Sequence, residues 1–144
     1  MFQPCRRFLA LDRTQRGLVI EAAGLMVFGW AGLRLCRFVT LRRVLDGVVA
    51  LTSASHLSAG EDLVPRVRRA VKAVAARCPP ATCLVQALAA DAMLRRRQVS
   101  CNLRFGVRLS ETAGDPLEGH AWVECGGSTI DASDGRSRFS VLSP

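Results

Sequence analysis

A chain of 144 residues, 49% hydrophobic and 22% charged, is long enough to bury a core, so whole-chain disorder is excluded. It should fold as one domain, or as one domain with a helical extension. The net charge of +8, with far more Arg than Lys, favours acidic partners, although solvated helix faces account for such clusters equally well.

No nucleic-acid partner is expected. The chain has no tyrosine, and its Phe and Trp residues do not alternate with basic ones along a strand. The opening MFQPCRRFLALDR lacks the small-residue cleavage site of a secretory signal. A cytoplasmic location is therefore expected, with reduced thiols as the default for the cysteines at 5, 36, 78, 83, 101 and 125.

In chain order, residues 12–43 read as helix, with Leu18, Leu25, Phe28, Leu35 and Val39 near a helical period. Gly24, Gly29 and Gly32 weaken that helix and permit close packing. Residues 18–33 are the most apolar stretch, but Glu21 lies inside it, and the uncharged remainder, 22–33, is too short to cross a bilayer. A core or partner-docking role is favoured over a membrane-surface contact. TSASHLSAG (52–60) reads as a small-residue linker, dividing an N-terminal helical extension (1–55) from a core (56–144).

A second helix begins near Glu61. Val64, Val67, Val71 and Val74 form its buried face, and it ends near RCPP because a residue before proline is pushed out of the helical region. Thr82 is a natural N-cap for a third helix, with Leu84, Leu88, Ala92 and Met93 roughly on one face and Arg95, Arg96 and Arg97 at its C-terminal end. The period then changes to two. Val99, Cys101, Leu103, Phe105, Val107 and Leu109 alternate with more polar residues, as in a half-buried strand. Residues 110–119 read as a loop. HAWVEC, GG and STIDAS read as strand, tight turn and strand, and RFSVL as a last strand.

Capped by Thr82, Cys83 sits in the first turn of a helix, where unpaired N–H groups and the helix dipole stabilise a thiolate. A small packed cysteine fits the position equally well, and position alone leaves both readings open. Of the two histidines, His56 lies in the linker, whereas His120 opens a strand beside a loop, where catalytic groups often stand. A two-residue turn at Gly126 and Gly127 would pair Cys125 with Ser128 and oppose Trp122 to Asp131. His120, Trp122, Thr129 and Asp131 then share a face, with Asp131 diagonal to His120 and Asp134 on the opposite face. The expected constellation is nucleophile Cys83, base His120 and orienting acid Asp131, which suits acyl transfer. Backbone N–H groups at Cys83 are the expected oxyanion donors, with Gln86 a weaker one. A zinc site drawing on Cys78, Cys83, Cys101, His120 and Cys125 is the rival use, but the paired short spacings of zinc motifs are missing. No metal or cofactor is expected.

CLVQALAADAMLRRR, a strand ending in RFGVRL, and GHAWVE followed by a strand with an aspartate resemble the leader peptidase of lasso-peptide biosynthesis. LDRTQRGLVIEAAGLMVFGWAGLRLCRF resembles the helical segment preceding that family's core. The resemblance implies an α+β fold with a transglutaminase-like, papain-like cysteine peptidase core. It also implies removal of the leader from a ribosomally made precursor peptide, in the split form that uses a small leader-recognition protein. The ATP-using cyclase is a further candidate partner. By the same resemblance Cys83 matches the nucleophile and His120 the base, with Asp131 the looser match. The sequence departs from the family pattern at Gln98, where glycine is expected after the Arg run. The alternatives are a non-catalytic module holding an acidic peptide, and an amidase or acyl transferase on the same fold.

Overall fold

The computed structural model describes residues 11–52, 62–78, 81–109, 117–131 and 139–142. His56 and nearly all of the linker, Pro79, Pro80 and Asp134 lie outside these residues. Four helices, α1 (Arg13–Leu35), α2 (Phe38–Thr52), α3 (Leu63–Ala75) and α4 (Cys83–Arg95), precede four strands, β1 (Asn102–Leu109), β2 (Leu117–Cys125), β3 (Ser128–Ile130) and β4 (Ser140–Val141). The arrangement is α+β, as the sequence predicts.

The single helix expected over 12–43 is two. Asp12 caps α1 by accepting from the Gln15 N–H at 2.6 Å. The helix stops at Cys36, whose backbone is extended, and α2 turns back so that Leu41 packs on Gly32. A Cβ at Gly32 would overlap the Leu41 side chain, so the glycine permits the close approach. The buried face of α1 is Gln15, Leu18, Ala22, Met26 and Gly29. This corrects the sequence reading, because Phe28, Leu35 and Val39 are exposed. In a helix apolar all round, periodicity does not say which face the neighbours will choose.

α4 is the central element. Nearly all its residues from Val85 to Leu94 are buried beneath α1, α3 and β2. Ion pairs tie the first two helices to it. Glu21 of α1 receives Arg96 and Arg97, each at 2.6 Å. Arg42 of α2 meets Asp91 at 2.8 Å, and Asp46 pairs with Arg95. Burial pushes the Asp91 carboxyl above its ordinary range, and the guanidinium groups of Arg42 and Arg95 offset this only in part. The chain leaves α4 through a left-handed residue, Gln98 (φ 58). Gln98 N–H donates to Arg95 O at 3.0 Å and Val99 N–H to Leu94 O at 3.1 Å, the bonding pattern of a Schellman cap. Glycine suits that position, which explains why its absence stands out in the sequence.

The sheet is antiparallel with order β3-β2-β1-β4. Leu103 and Phe105 of β1 and Ala121, Val123 and Cys125 of β2 face the helical core. Leu109, expected inward, is exposed. The loop expected over 110–119 is also revised, since β2 already begins at Leu117. Gly126 and Gly127 take φ of 50° and 85°, which makes the turn a primed one. The pairs Cys125↔Ser128, Glu124↔Thr129 and Val123↔Ile130 have the predicted register. The ladder ends there, so Trp122 and Asp131 are not a paired rung. β4 adds the last strand by pairing with β1. One rung beyond Asn102↔Glu124, Cys101 stands opposite Cys125, and the two form a disulfide with Cα atoms 4.4 Å apart. This corrects the expectation of reduced thiols for that pair, because cross-strand neighbours at this spacing are within bonding reach.

Candidate active site

The strand alternation gives the sheet two different faces. One carries the apolar residues of the core. The other carries His120 and Trp122, buried by different means. Gly106 lies opposite His120 in the β1–β2 ladder. A Cβ there would stand 2.9 Å from both the Trp122 ring and the Phe139 Cβ, so only glycine leaves room for these rings. Phe139 stacks on the His120 imidazole with centroids 4.8 Å apart, and Trp122 lies 5.8 Å from it. Trp122 satisfies its indole N–H by donating to Glu124 Oε1 at 3.0 Å.

His120 does not open its strand, as expected from the sequence, but is its fourth residue and is buried. Its Nε2 lies 2.6 Å from Asp131 Oδ1. Asp131 immediately follows β3 and is also buried. Burying a carboxylate and an imidazole away from water is costly unless each satisfies the other. The contact fixes which ring nitrogen faces the carboxylate and so orients the imidazole.

Cys83 is the first residue of α4, half-buried and free. The backbone of Thr82 is extended, and its hydroxyl accepts from the Val85 N–H at 3.4 Å. Its carbonyl accepts from the Gln86 N–H at 3.0 Å. The cap thus engages the N–H groups of Val85 and Gln86 and leaves those of Cys83 and Leu84 outside it. The Gln86 side chain donates to Ala81 O at 2.7 Å, so its amide is drawn back onto the chain entering the helix.

The structure therefore joins His120 to Asp131 and places Cys83 on a separate element, α4, which packs against β2. Among the described residues no hydrogen bond links Cys83 to His120. The face of β2 that meets α4 is the apolar one opposite His120, so the structure does not itself bring Cys83 to the His120–Asp131 pair. Among the described residues there is also no group of three or more His, Cys, Asp or Glu placed to hold a metal ion. Sequence reasoning missed Phe139 and Gly106. The signal for Gly106 was present, since a glycine interrupting an alternating strand marks a close approach. Nothing local announced Phe139, which reaches the ring only through the pairing of β4 with β1.

No curated protein and no solved structure matches the chain. The transglutaminase-like superfamily matches over residues 30–144. Its members are typically cysteine-dependent catalysts of the peptidase and acyltransferase kind. With a match spanning α2 to α4 and the whole sheet, the chain belongs to the transglutaminase-like superfamily.

Proposed function

We propose that the protein is a cysteine peptidase that removes the leader from a ribosomally made lasso-peptide precursor, with Cys83 as nucleophile, His120 as base and Asp131 as orienting acid. The observation that carries this reading is the buried His120–Asp131 pair at 2.6 Å in a transglutaminase-like chain whose free Cys83 begins a capped helix. In the proposed cycle Nε2 stays with Asp131, and Nδ1 exchanges the proton with the thiol. The Cys83 sulfur attacks the scissile carbonyl carbon, and the oxyanion meets the N–H groups at the start of α4. The C–N bond breaks as the imidazolium protonates the leaving amine. Water, deprotonated by the same imidazole, then hydrolyses the thioester and restores the thiol.

The proposed partners are the precursor peptide, a small leader-recognition protein and the ATP-using cyclase. The proposed setting is the cytoplasm. The proposed cycle uses Cys83 alone among the cysteines, so it does not depend on the Cys101–Cys125 bridge.

Incubating the precursor with the leader-recognition protein and either wild type or Cys83→Ala tests the reading. Cleavage should fall at least about a thousandfold in the variant, with unchanged circular dichroism. Unchanged cleavage would refute the assignment of Cys83. A peptide bound but never cut by wild type would favour the non-catalytic module. Transfer of the acyl group to an added amine, without hydrolysis, would favour the acyl transferase.

A further inference from the structure

The face of α1 turned away from the core is apolar and uncovered. Gly17, Ile20, Gly24, Val27, Ala31 and Leu35 recur at spacings of three and four and so share one side of the helix. Ile20, Val27 and Leu35 are 63%, 60% and 82% exposed. A Cβ at Gly17 or Gly24 would meet nothing. Large uncovered apolar patches on folded proteins mark contact surfaces. By length and composition α1 is apolar enough to cross a membrane, with a mean hydropathy of 1.6. Its other side, however, holds Leu18, Ala22 and Met26 in the core, so crossing would strip that core.

Charge says what covers this face. Every acidic residue of α1, of α2 and of the cap before them is neutralised within the fold: Asp12 by Arg66, Glu21 by Arg96 and Arg97, and Asp46 by Arg42 and Arg95. The exposed arginines Arg13, Arg34, Arg37 and Arg43 take part in no ion pair among the described residues. Arg13 stands at one end of the apolar stripe, and Arg34 and Arg37 at the other. Trp30 lies near that second end, with the Arg34 guanidinium 5.1 Å from its ring centroid. An apolar stripe with cations at both ends and an aromatic residue beside one of them matches a bilayer surface. The stripe meets acyl chains while the arginines reach anionic headgroups. A second copy fits less well, because self-association would set this cationic rim against itself.

We infer that α1 lies in the plane of an anionic membrane surface, its outer face in the lipid and its inner face in the protein core. The inference is independent of the peptidase reading, since it uses none of the proposed catalytic residues.

Flotation of the full chain with phosphatidylcholine vesicles containing a minority of phosphatidylglycerol tests it. Wild type should float, and its tryptophan emission should shift to the blue. That shift reports on Trp30, because Trp122 is already buried. Trp30→Phe should float without the shift. Val27→Glu should lower the floated fraction roughly tenfold while its melting temperature and precursor cleavage in solution stay unchanged. Wild type remaining at the bottom of the gradient would overturn the inference. So would Val27→Glu floating as well as wild type, which would show binding by charge alone. A wild-type dimer that Val27→Glu dissociates would instead assign the face to a second copy.

Discussion

Two regions of this molecule break the usual rule of apolar inside and polar outside, in opposite directions. On the sheet face away from the helical core, a histidine and an aspartate are buried against each other under aromatic rings. On the outer face of α1, isoleucine, valine and leucine are left in water. Buried polar groups and uncovered apolar patches are the informative exceptions in a fold. The first needs every partner in place, because a buried ionisable group left alone is expensive. The second needs nothing from its own chain. One is a polar pair completed by folding, and the other an apolar face that folding leaves uncovered.

Substitutions separate the two kinds of region. The largest effect is expected from Asp131→Asn, which keeps the shape of the side chain but loses the carboxylate that orients His120. Peptide cleavage should fall by roughly a hundredfold to ten-thousandfold, while thermal melting changes far less than activity. A loss of folding alone, with cleavage per folded molecule intact, would mean that the pair is only structural.

Next comes Gly106→Ala. The new methyl group must displace Trp122 or Phe139 from over His120, and such overpacking costs about 1–3 kcal/mol. Urea unfolding measures this loss. A stability within error of wild type would show that the rings above the imidazole are loosely held. The smallest effect is expected at Gln98→Gly, which touches neither region. Relieving a left-handed non-glycine residue should stabilise the protein by roughly 1 kcal/mol, read as a higher denaturant midpoint with cleavage unchanged.

How much of this was legible in the sequence differed between the regions for a physical reason. Local rules fixed the Thr82 cap, the Gly126–Gly127 turn and the register of β2 with β3, because each depends on neighbouring residues alone. The register in turn brought Asp131 to His120 rather than leaving the choice open. Gln98 was visible only through the family resemblance, as a residue standing where glycine was expected.

Tertiary structure decided the rest. α1 is apolar on every side, so its sequence contains no signal for which face α3 and α4 would bury. The break at Cys36 followed from α2 folding back over Gly32, and the burial of most of α4 followed from elements packing around it. Phe139 reaches His120, and Cys101 meets Cys125, through strand pairing between segments distant in the chain. Residue type and spacing determined the capped helix, the hairpin and which polar side chains they present. Only packing over long sequence separations determined what those side chains rest against, and which apolar face was left over.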